Sequence, residues 1–456
     1  MRVRGDKAPR RAPVGGVRVP PHTRWVLDNG AVLVVVPQRD VPLVACSVLL
    51  RGSALADPRG KSGVAALTAG LLEKGAGARD AFAFADALEG VGGSLATAAG
   101  AELITLSAQF LARDQELMLG LLASALTEPR FEQRELDTLR ARHVELIKAA
   151  KDIDPAELLA SYGRSFLFRA HPYGRPVLGS ERSLAAISRR DILRYYRTQI
   201  GGDRLVLIFA GDVDAPALKQ SVARTLGRFR RAAAPLPALA EPARPRGRRV
   251  LLVDSPGSQQ TYFWIGAVGV SKHYPHRAAL DLVNTVFGGS FTSLLNTELR
   301  VKSGMTYGAG STFVRGTVAA EFAIRSFVHA ERTGEAIECA LATLARLKHE
   351  GISAPMLEAA RAYVLGQYPL SLETAADWAA ALGELEAYGL PREYIEQYGP
   401  ELSHVTLADA RRVIREAFPD PARLAIVAIG DAARIRSQLA RLGTVQELPL
   451  ARAAFR

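Results

Sequence analysis

RLVLIFAGDVD, residues 204–214, and RLAIVAIGDAA, residues 423–433, decide the fold of this 456-residue chain. In each stretch an Arg-Leu pair leads into an apolar run of strand length, and the run ends at a Gly-Asp turn. A helix is predicted to precede each stretch, beginning near Ser188 in the first case and near Thr406 in the second. The two stretches lie 219 residues apart, and this repeat indicates a duplicated domain.

A stretch rich in Pro, Ala and Arg separates the two halves. Residues 230–249 read RRAAAPLPALAEPARPRGRR, a composition typical of a linker. We therefore expect a first domain over 24–229 and a second domain over 250–436. A basic N-terminal tail over 1–23 and a C-terminal tail over 437–456 are expected to flank them.

Each half is predicted to combine helices with a sheet. Asn29-Gly30 between two β-rich runs predicts a hairpin, and Pro256-Gly257 lies between similar runs in the second half. Strands are expected near 94–110 and 309–327. Apolar residues at helical spacing predict the longer helices, which are expected over 80–90, 114–126, 131–149, 155–167, 331–349, 354–366 and 372–387. The fold class is therefore α+β, with two homologous domains that each pack helices over a mainly antiparallel sheet.

The net charge of +12 raises the question of a polyanionic partner. Most of the excess is scattered arginine, and the local clusters are MRVRGDKAPRR and RPRGRR in tail and linker sequence. No recognition motif accompanies them, so we expect no nucleic-acid partner. Polyanion binding through RPRGRR stays open as an alternative.

Targeting and membrane signals are absent from the sequence as it stands. No window approaches the roughly 18 uninterrupted apolar residues of a membrane span, so we expect no transmembrane segment. The N-terminus is basic but has no apolar core of a secretory signal. We expect a cytoplasmic protein, or a periplasmic one if a leader is missing.

Common catalytic motifs do not occur. The chain has no HExxH, no GxSxG, no Walker loop and no CxxC pair. Its eight histidines are scattered, and no two stand four residues apart in one helix, the spacing that presents two imidazoles to one zinc. His273 and His276 are the nearest pair, and we interpret them as part of a solvated loop.

Several stretches, taken together, resemble one family. The resemblance is to the pitrilysin-like M16 zinc peptidases, and within them to the short bacterial M16B members that are similar to mitochondrial processing peptidase subunits. It covers about residues 24–435 and implies the LuxS/MPP-like metallohydrolase fold. The stretches that carry it, in family order and spacing, are LDNGAVLVVVP, GKSGVAALTAGLLEKGAG, LEGVGGSLATAAGAELITLSAQFL, HPYGRPVLGSERSLAAISRRDILRYY, LNTELRVKSGMTYGAG and LGQYPLSLET.

The zinc motif of active members is lost. Those members hold zinc with H-x-x-E-H inside a G-x-x-H-x-x-E-H frame on a first-half helix, and with a glutamate further along the chain. Aligned from Gly63, the frame puts Ala66 and Gly70 in place of the histidines and Ala69 in place of the general-base glutamate. The distant ligand falls at Ile147. Methyl, hydrogen and sec-butyl groups supply no zinc ligand, so the helix is expected to serve packing alone.

Glu145 lies two residues from the distant ligand position. One carboxylate without two imidazoles would not retain a catalytic zinc. The resemblance therefore implies a chain with no catalytic residue, metal or cofactor of its own, and zinc is expected in a partner subunit.

The second half keeps a different pair of residues. In paired M16B proteins one subunit commonly carries zinc and the other a conspicuous arginine and tyrosine, which match Arg300 and Tyr307 here. A helix is predicted to end near 301–303, with Gly304 in the left-handed conformation and Tyr307 beginning the next strand. A guanidinium and a phenol can hold a peptide carbonyl or stabilise an oxyanion. The alternative is that Arg300 meets surface carboxylates such as Glu298 and that Tyr307 only packs.

The resemblance implies a catalytically silent M16B subunit. It is expected to form a heterodimer with a zinc-bearing homologue and to bind peptide substrate in a chamber between the subunits. A scaffold subunit with no role in catalysis is the first alternative, and an enzyme with another active site is the second.

Three further features are expected to be mainly structural. His171 in HPYGRP is expected to fix a loop, and Gly288-Gly289 is expected to open a helix capped by Ser290, with substrate contact as the alternative. The strand near 94–110 is expected to be an edge strand, where an extended peptide could pair.

Overall fold

The computed structural model describes residues 16–455, and the stretch MRVRGDKAPRR lies outside them. Within this range the strands are β1 (Thr23–Val26), β2 (Val32–Pro37), β3 (Leu43–Arg51), β4 (Ser94–Ala99), β5 (Leu103–Leu111), β6 (Leu205–Gly211), β7 (Arg249–Asp254), β8 (Gln260–Val268), β9 (Ala309–Phe313), β10 (Glu321–His329), β11 (Ala425–Gly430) and β12 (Thr444–Pro449). The first-half helices are α1 (Val64–Leu71), α2 (Ala81–Glu89), α3 (Gln115–Thr127), α4 (Gln133–Asp152), α5 (Ala156–Phe168), α6 (Glu181–Ala185), α7 (Arg189–Gln199) and α8 (Ala215–Leu226). The second-half helices are α9 (Arg277–Asn284), α10 (Leu294–Asn296), α11 (Thr333–Glu350), α12 (Ala354–Gln367), α13 (Ala375–Tyr388), α14 (Glu393–Glu396), α15 (Tyr398–His404), α16 (Leu407–Glu416) and α17 (Ala432–Ala440).

The strands of residues 16–455 form two six-stranded sheets of matching topology. The first has the order β1-β2-β6-β3-β5-β4 and the second β12-β7-β11-β8-β10-β9. From β2 and β7 onwards the two sheets correspond strand by strand, each with one parallel pair followed by three antiparallel pairs. The outermost strands differ, because β1 is antiparallel to β2 whereas β12 is parallel to β7. The α+β class with two homologous domains is confirmed, and the sheets are mixed.

The two repeated stretches form the central strands of these sheets. β6 and β11 are buried along their whole length, as their apolar runs predict. The helices before them begin where the sequence indicates, because the side chains of Ser188 and Thr406 cap α7 and α16. In each cap the residue at the third helical position, Asp191 or Asp409, bonds back to the capping residue.

Two predicted strand arrangements differ in the structure. The segments 94–110 and 309–327, each expected as one strand, are hairpins of β4 with β5 and of β9 with β10. The strands on either side of Pro256-Gly257 are not paired with each other, because β11 lies between β7 and β8. A short turn between two apolar runs shows that the two strands follow each other in the chain. It does not show that they are neighbours in the sheet, because a strand more distant in sequence can insert between them.

Both predicted tails are attached to the domains where the structure describes them. In the first, 1–23, Val19 is buried, and its cluster contains residues of α13. In the second, 437–456, β12 extends the second sheet. The ring of Phe455 then packs edge-on against Tyr162 of the first half, with 4.9 Å between ring centroids.

Each half contributes one helix to the sheet of the other half. Helix α5 packs on β8 and β11, and helix α13 packs on β3 and β6. Gly163 of α5 lies so close to Trp264 that a Cβ there would come within 2.6 Å of the indole. A Cβ at Gly383 of α13 would likewise come within 2.4 Å of Cδ1 of Leu49. Because each sheet is covered partly by the other half, the two domains pack as one unit.

Polar side chains also join the halves. Glu102, 8% exposed at the β4–β5 turn, accepts hydrogen bonds from the amide and hydroxyl of Thr317 at 2.9 and 3.0 Å. Its carboxylate also accepts from the hydroxyl of Tyr173. Beside it, Nε of Arg164 donates to the buried carboxylate of Glu321 over 2.6 Å. These contacts fix the two halves against each other at one end of the cleft between them.

The basic linker is held to the protein by its arginines. Arg244 and Arg248 donate to main-chain carbonyl oxygens at 2.8 and 3.0 Å. The guanidinium of Arg249 lies over the ring of Phe166, 4.9 Å from its centroid. Three of the arginines of RPRGRR therefore have structural partners, which weakens the case for polyanion binding.

One helical run, Arg277–Lys302, is long and apolar enough by length and composition to cross a membrane. However, 61% of its most apolar window is buried inside the protein. The run is also interrupted at Ser290, whose backbone is extended. These are features of a core helix of the second domain.

Candidate functional site

Helix α1 is packed into the core of the first domain. Its apolar side chains are almost all buried, and Gly63 caps it with a φ of 98°. A Cβ at Gly63 would lie 2.9 Å from the carbonyl oxygen of Leu178, so the close approach of that loop requires glycine.

A buried carboxyl group fixes the beginning of this helix. Asp57 accepts hydrogen bonds from the amides of Gly63 and Ala65 at 2.7 and 3.0 Å. Burial raises the pKa of Asp57 to about 7, and the two amides and Arg175 partly oppose that rise. Because the carboxyl group binds backbone amides at a helix N-terminus, its role is to cap the helix.

The four positions predicted from the family's metal site offer no place for zinc. Ala66, Ala69 and Ile147 are buried at 6%, 1% and 5% exposure. A Cβ at Gly70 would meet Leu139 of α4 at 2.9 Å, so a neighbouring side chain fills the space that an imidazole there would need. These side chains carry no donor atom, and zinc does not fit them. That they correspond to the metal ligands of active members stays a prediction from the resemblance.

The carboxylate nearest to Ile147 in sequence lies on the surface. Glu145 is exposed, and its carboxylate pairs with Nζ of Lys148 at 2.9 Å. Across residues 16–455 there is no group of three or more His, Cys, Asp or Glu side chains that could hold a metal ion.

Two cavities lie near these positions. One lies beside α4 and α5, and the other lies in the cleft between the two halves. One of about 520 Å³ is mostly apolar and includes Ile147, Leu146 and Ile153 in its wall. The other, of about 420 Å³, lies against β4 and against second-half residues after β9. Arg164 and Arg175 line both, so the cavities adjoin. Strand β4 is the outer strand of its sheet and pairs there with β5 alone, as expected of an edge strand.

Arg300 and Tyr307 stand on either side of one chain reversal. Arg300 lies in the π-helical turn Thr297–Lys302, and the amide of Gly304 donates to its carbonyl oxygen at 3.0 Å. Gly304 has a φ of 61°, which confirms the left-handed conformation expected there. The amides of the next two residues both donate to the carbonyl of Leu299. The structure thus brings the backbones of the two residues together.

The guanidinium of Arg300 is held by an aromatic ring. It lies 4.5 Å from the ring centroid of Phe291. Within the described part of the chain it has no hydrogen bond and no ion pair. Glu298 is taken up by Lys302 at 3.0 Å and Arg346 at 2.7 Å, which together hold the pKa of Glu298 below its usual range. The alternative that Arg300 pairs with Glu298 is therefore wrong.

Tyr307 has a fixed backbone and a free side chain. It does not begin the next strand, since β9 starts at Ala309. The hydroxyls of Thr306 and Ser326 both donate to the carbonyl of Gly308, at 3.0 and 2.9 Å, and anchor the turn. Tyr307 is 80% exposed. So little of it is buried that packing alone does not explain a tyrosine at this position.

These two residues lie outside the cleft of their own chain. Val314 and Gly316, which line the cleft cavity, follow β9, whereas Tyr307 precedes it. A five-residue strand spans about 17 Å, which separates the two places. Neither Arg300 nor Tyr307 lines either of the cavities described above.

Two further expectations are settled by hydrogen bonds. Ser290 does not cap a helix, because its hydroxyl donates to the carbonyl of Thr285 and α10 begins after Ser293. His171 accepts from the amide of Tyr173 at 3.2 Å and caps a short turn, which confirms a structural role.

Sequence reasoning missed Phe291, Asn296 and Glu102. Each is a single residue without a periodic pattern, and its partners are set by tertiary contacts. The sequence signal for Phe291 is weak: one aromatic residue in a turn after two glycines.

Family models match both halves of the chain. The model described as Insulinase (Peptidase family M16) matches residues 33–181, and the one described as Peptidase M16 inactive domain matches 186–364. The chain belongs to the M16 peptidase family. The first match contains α1 and α4, where this M16 chain has no zinc ligand, and the second contains Arg300 and Tyr307.

Relatives extend over most of this M16 chain. It is 27% identical over 347 residues to an uncharacterized zinc protease of Mycobacterium tuberculosis, a match that covers 76% of this chain and 79% of that protein. It is 23% identical over 388 residues to the non-peptidase homolog YmxG of Helicobacter pylori, covering 82% and 86%. The crystal structure of a peptidase M16 inactive domain from Pseudomonas fluorescens has the same fold, with a TM-score of 0.84, 22% identity and coverage of 94% and 99%.

Proposed function

We propose that this chain is the catalytically silent subunit of a heteromeric M16B zinc metallopeptidase. It forms a heterodimer with a zinc-bearing M16B homologue and helps to bind peptide substrate in a shared chamber. Arg300 and Tyr307 stabilise the reacting carbonyl, and the partner supplies the metal. The name of one relative, the non-peptidase homolog YmxG of Helicobacter pylori, supports a member of the family without peptidase activity of its own, whereas the relative from Mycobacterium tuberculosis is named a zinc protease.

A half-buried guanidinium and an exposed phenol on one anchored reversal carry this proposal. Arg300 and Tyr307 have fixed backbones, and their donor groups have no partner in the described chain. A preorganised guanidinium and phenol stabilise negative charge that develops on a carbonyl oxygen. Because neither residue lines the cleft cavity of its own chain, the carbonyl they meet is held by another subunit.

The open edge of β4 supports binding of an extended peptide. Ala98, Ala99 and Gly100 line the cleft cavity, and β5 occupies one side of β4 only. A peptide can add to such an edge through main-chain hydrogen bonds. A scaffold subunit without catalytic role is the second candidate, and the dense packing of α1 favours it.

Peptide hydrolysis with added zinc tests the proposal. This chain alone, a zinc-bearing M16B homologue from the same source alone, and their mixture are compared. The mixture is then repeated with Arg300→Ala, with Tyr307→Phe and with a control, Arg423→Ala, whose side chain is 68% exposed elsewhere on the second domain.

We expect activity in the mixture only, with a loss of about 10²-fold for Arg300→Ala and a smaller loss for Tyr307→Phe. The control variant should act like wild type. Activity of this chain alone would contradict the proposal. Full activity of both site variants would leave a scaffold subunit instead.

A further inference from the structure

The ring that holds Arg300 is unusually exposed for an aromatic side chain. Phe291 is 66% exposed, so burial contributes little to its presence in the turn. Its ring face is covered by the guanidinium of Arg300 at 4.5 Å. An arginine over an aromatic face keeps its N–H groups, which point out along the edge of its plane, available for other bonds.

Buried hydrogen bonds fix the turn that carries this ring. Asn296 is 3% exposed, and its side-chain amide donates to the carbonyl of Phe291 at 2.6 Å. Its carbonyl oxygen accepts from the amide of Ala309 at 3.3 Å. One buried side chain therefore ties the Phe291 turn to the first residue of β9, two positions after Tyr307.

We propose that Phe291 is a positioning residue that presents the guanidinium of Arg300 to the substrate carbonyl. The ring restricts the long arginine side chain to one orientation before substrate arrives, which lowers the entropy lost on binding. This inference rests on the proposed function, because the carbonyl belongs to peptide held by the partner subunit. Phe291 itself does not touch the reacting atoms.

The contact can be tested directly on this chain alone. In a sample with ¹⁵N-labelled arginine, the Nε–H signal of Arg300, assigned with Arg300→Lys, reports the ring through its ring-current shift. We expect Phe291→Leu to remove that shift and Phe291→Tyr to keep it. Phe82→Leu is the matched control, since Phe82 is an exposed phenylalanine, at 81%, on α2. An unchanged signal in Phe291→Leu would overturn the inference.

Kinetics of the mixture with the zinc-bearing homologue test the consequence. Phe291→Leu should lower kcat by about two- to fivefold with little change in KM, and Phe291→Tyr should restore it. The double variant with Arg300→Ala should be no slower than Arg300→Ala alone, because Phe291 acts through Arg300.

The outcomes separate this inference from the proposed function. A normal rate for Phe291→Leu beside a slow Arg300→Ala contradicts the positioning role only. Equal rates for Arg300→Ala and wild type contradict the proposed function, while the arginine signal still decides whether Phe291 holds the side chain.

Discussion

Asp191 and Asp409 hold equivalent positions in the duplicated domains, yet their surroundings differ. Each accepts hydrogen bonds from the amide and hydroxyl of its capping residue, Ser188 or Thr406. Asp191 also forms a close ion pair with Lys61, whereas the nearest cation of Asp409, Arg412, lies 4.0 Å away. Partial burial raises the pKa of Asp191, but Lys61 and Ser188 outweigh it and lower the value to about 2.

This pairing predicts a pH-dependent stability. A carboxylate with a lowered pKa stabilises the folded chain above its unfolded value, and that contribution is lost as the pH falls towards 2. At pH 7 we expect Asp191→Asn to cost about 1 kcal/mol, after allowance for solvent screening, and Asp409→Asn about half of that. Urea unfolding from pH 7 to pH 2.5 measures both. A cost of Asp191→Asn that is independent of pH would contradict the role of its charge.

Single residues also show what the sequence can predict. That Ala66, Ala69 and Gly70 supply no ligand to zinc follows from residue type, since no packing gives a methyl group or a hydrogen atom a lone pair. The capping positions Ser188 and Thr406 follow equally well, because a capping box is local. The contact between Lys61 and Asp191 does not, since only the tertiary fold brings them together.

At the scale of elements, the exchanged helices lie beyond what periodicity reveals. Apolar spacing predicts the helices 155–167 and 372–387, and the structure has them as α5 and α13. Spacing shows that one face of a helix is buried and does not show which sheet buries it. The sequence therefore predicts two domains, and only the tertiary structure shows that they exchange helices, where Gly163 of α5 packs against Trp264 of the other half.

Glycine at this crossing yields a test of the exchange. Alanine is the better helix former by up to about 1 kcal/mol, yet a Cβ at Gly163 would lie 2.6 Å from the indole of Trp264. We expect Gly163→Ala to destabilise the chain by about 1–3 kcal/mol. Gly120→Ala in α3 is the control, since nothing lies within 4 Å of a Cβ there, and it should be neutral or stabilising. A Gly163→Ala variant as stable as the control would mean that α5 does not press on Trp264.

At the scale of the molecule, the two halves should unfold together. Two of the three tryptophans report on the exchange, because Trp264 of the second sheet meets α5 and Trp378 of α13 is buried in the core that covers the first sheet. A helix of the other half covers part of each sheet, so we expect loss of docking and loss of the fold to be one event. We expect tryptophan fluorescence and far-UV circular dichroism to give the same urea midpoint.

Glu102 provides the perturbation that tests this coupling. Glu102→Ala leaves the hydroxyl of Tyr173 and both donors of Thr317 without their acceptor, in a site that is 8% exposed at Glu102. We expect a loss of about 3 kcal/mol, against about 1 kcal/mol for Thr317→Val, which removes one donor of the same network. Both probes should shift to lower urea together in each variant. A fluorescence transition that precedes the circular dichroism transition would show that the halves separate before they unfold, and that the exchanged helices do not make them one cooperative unit.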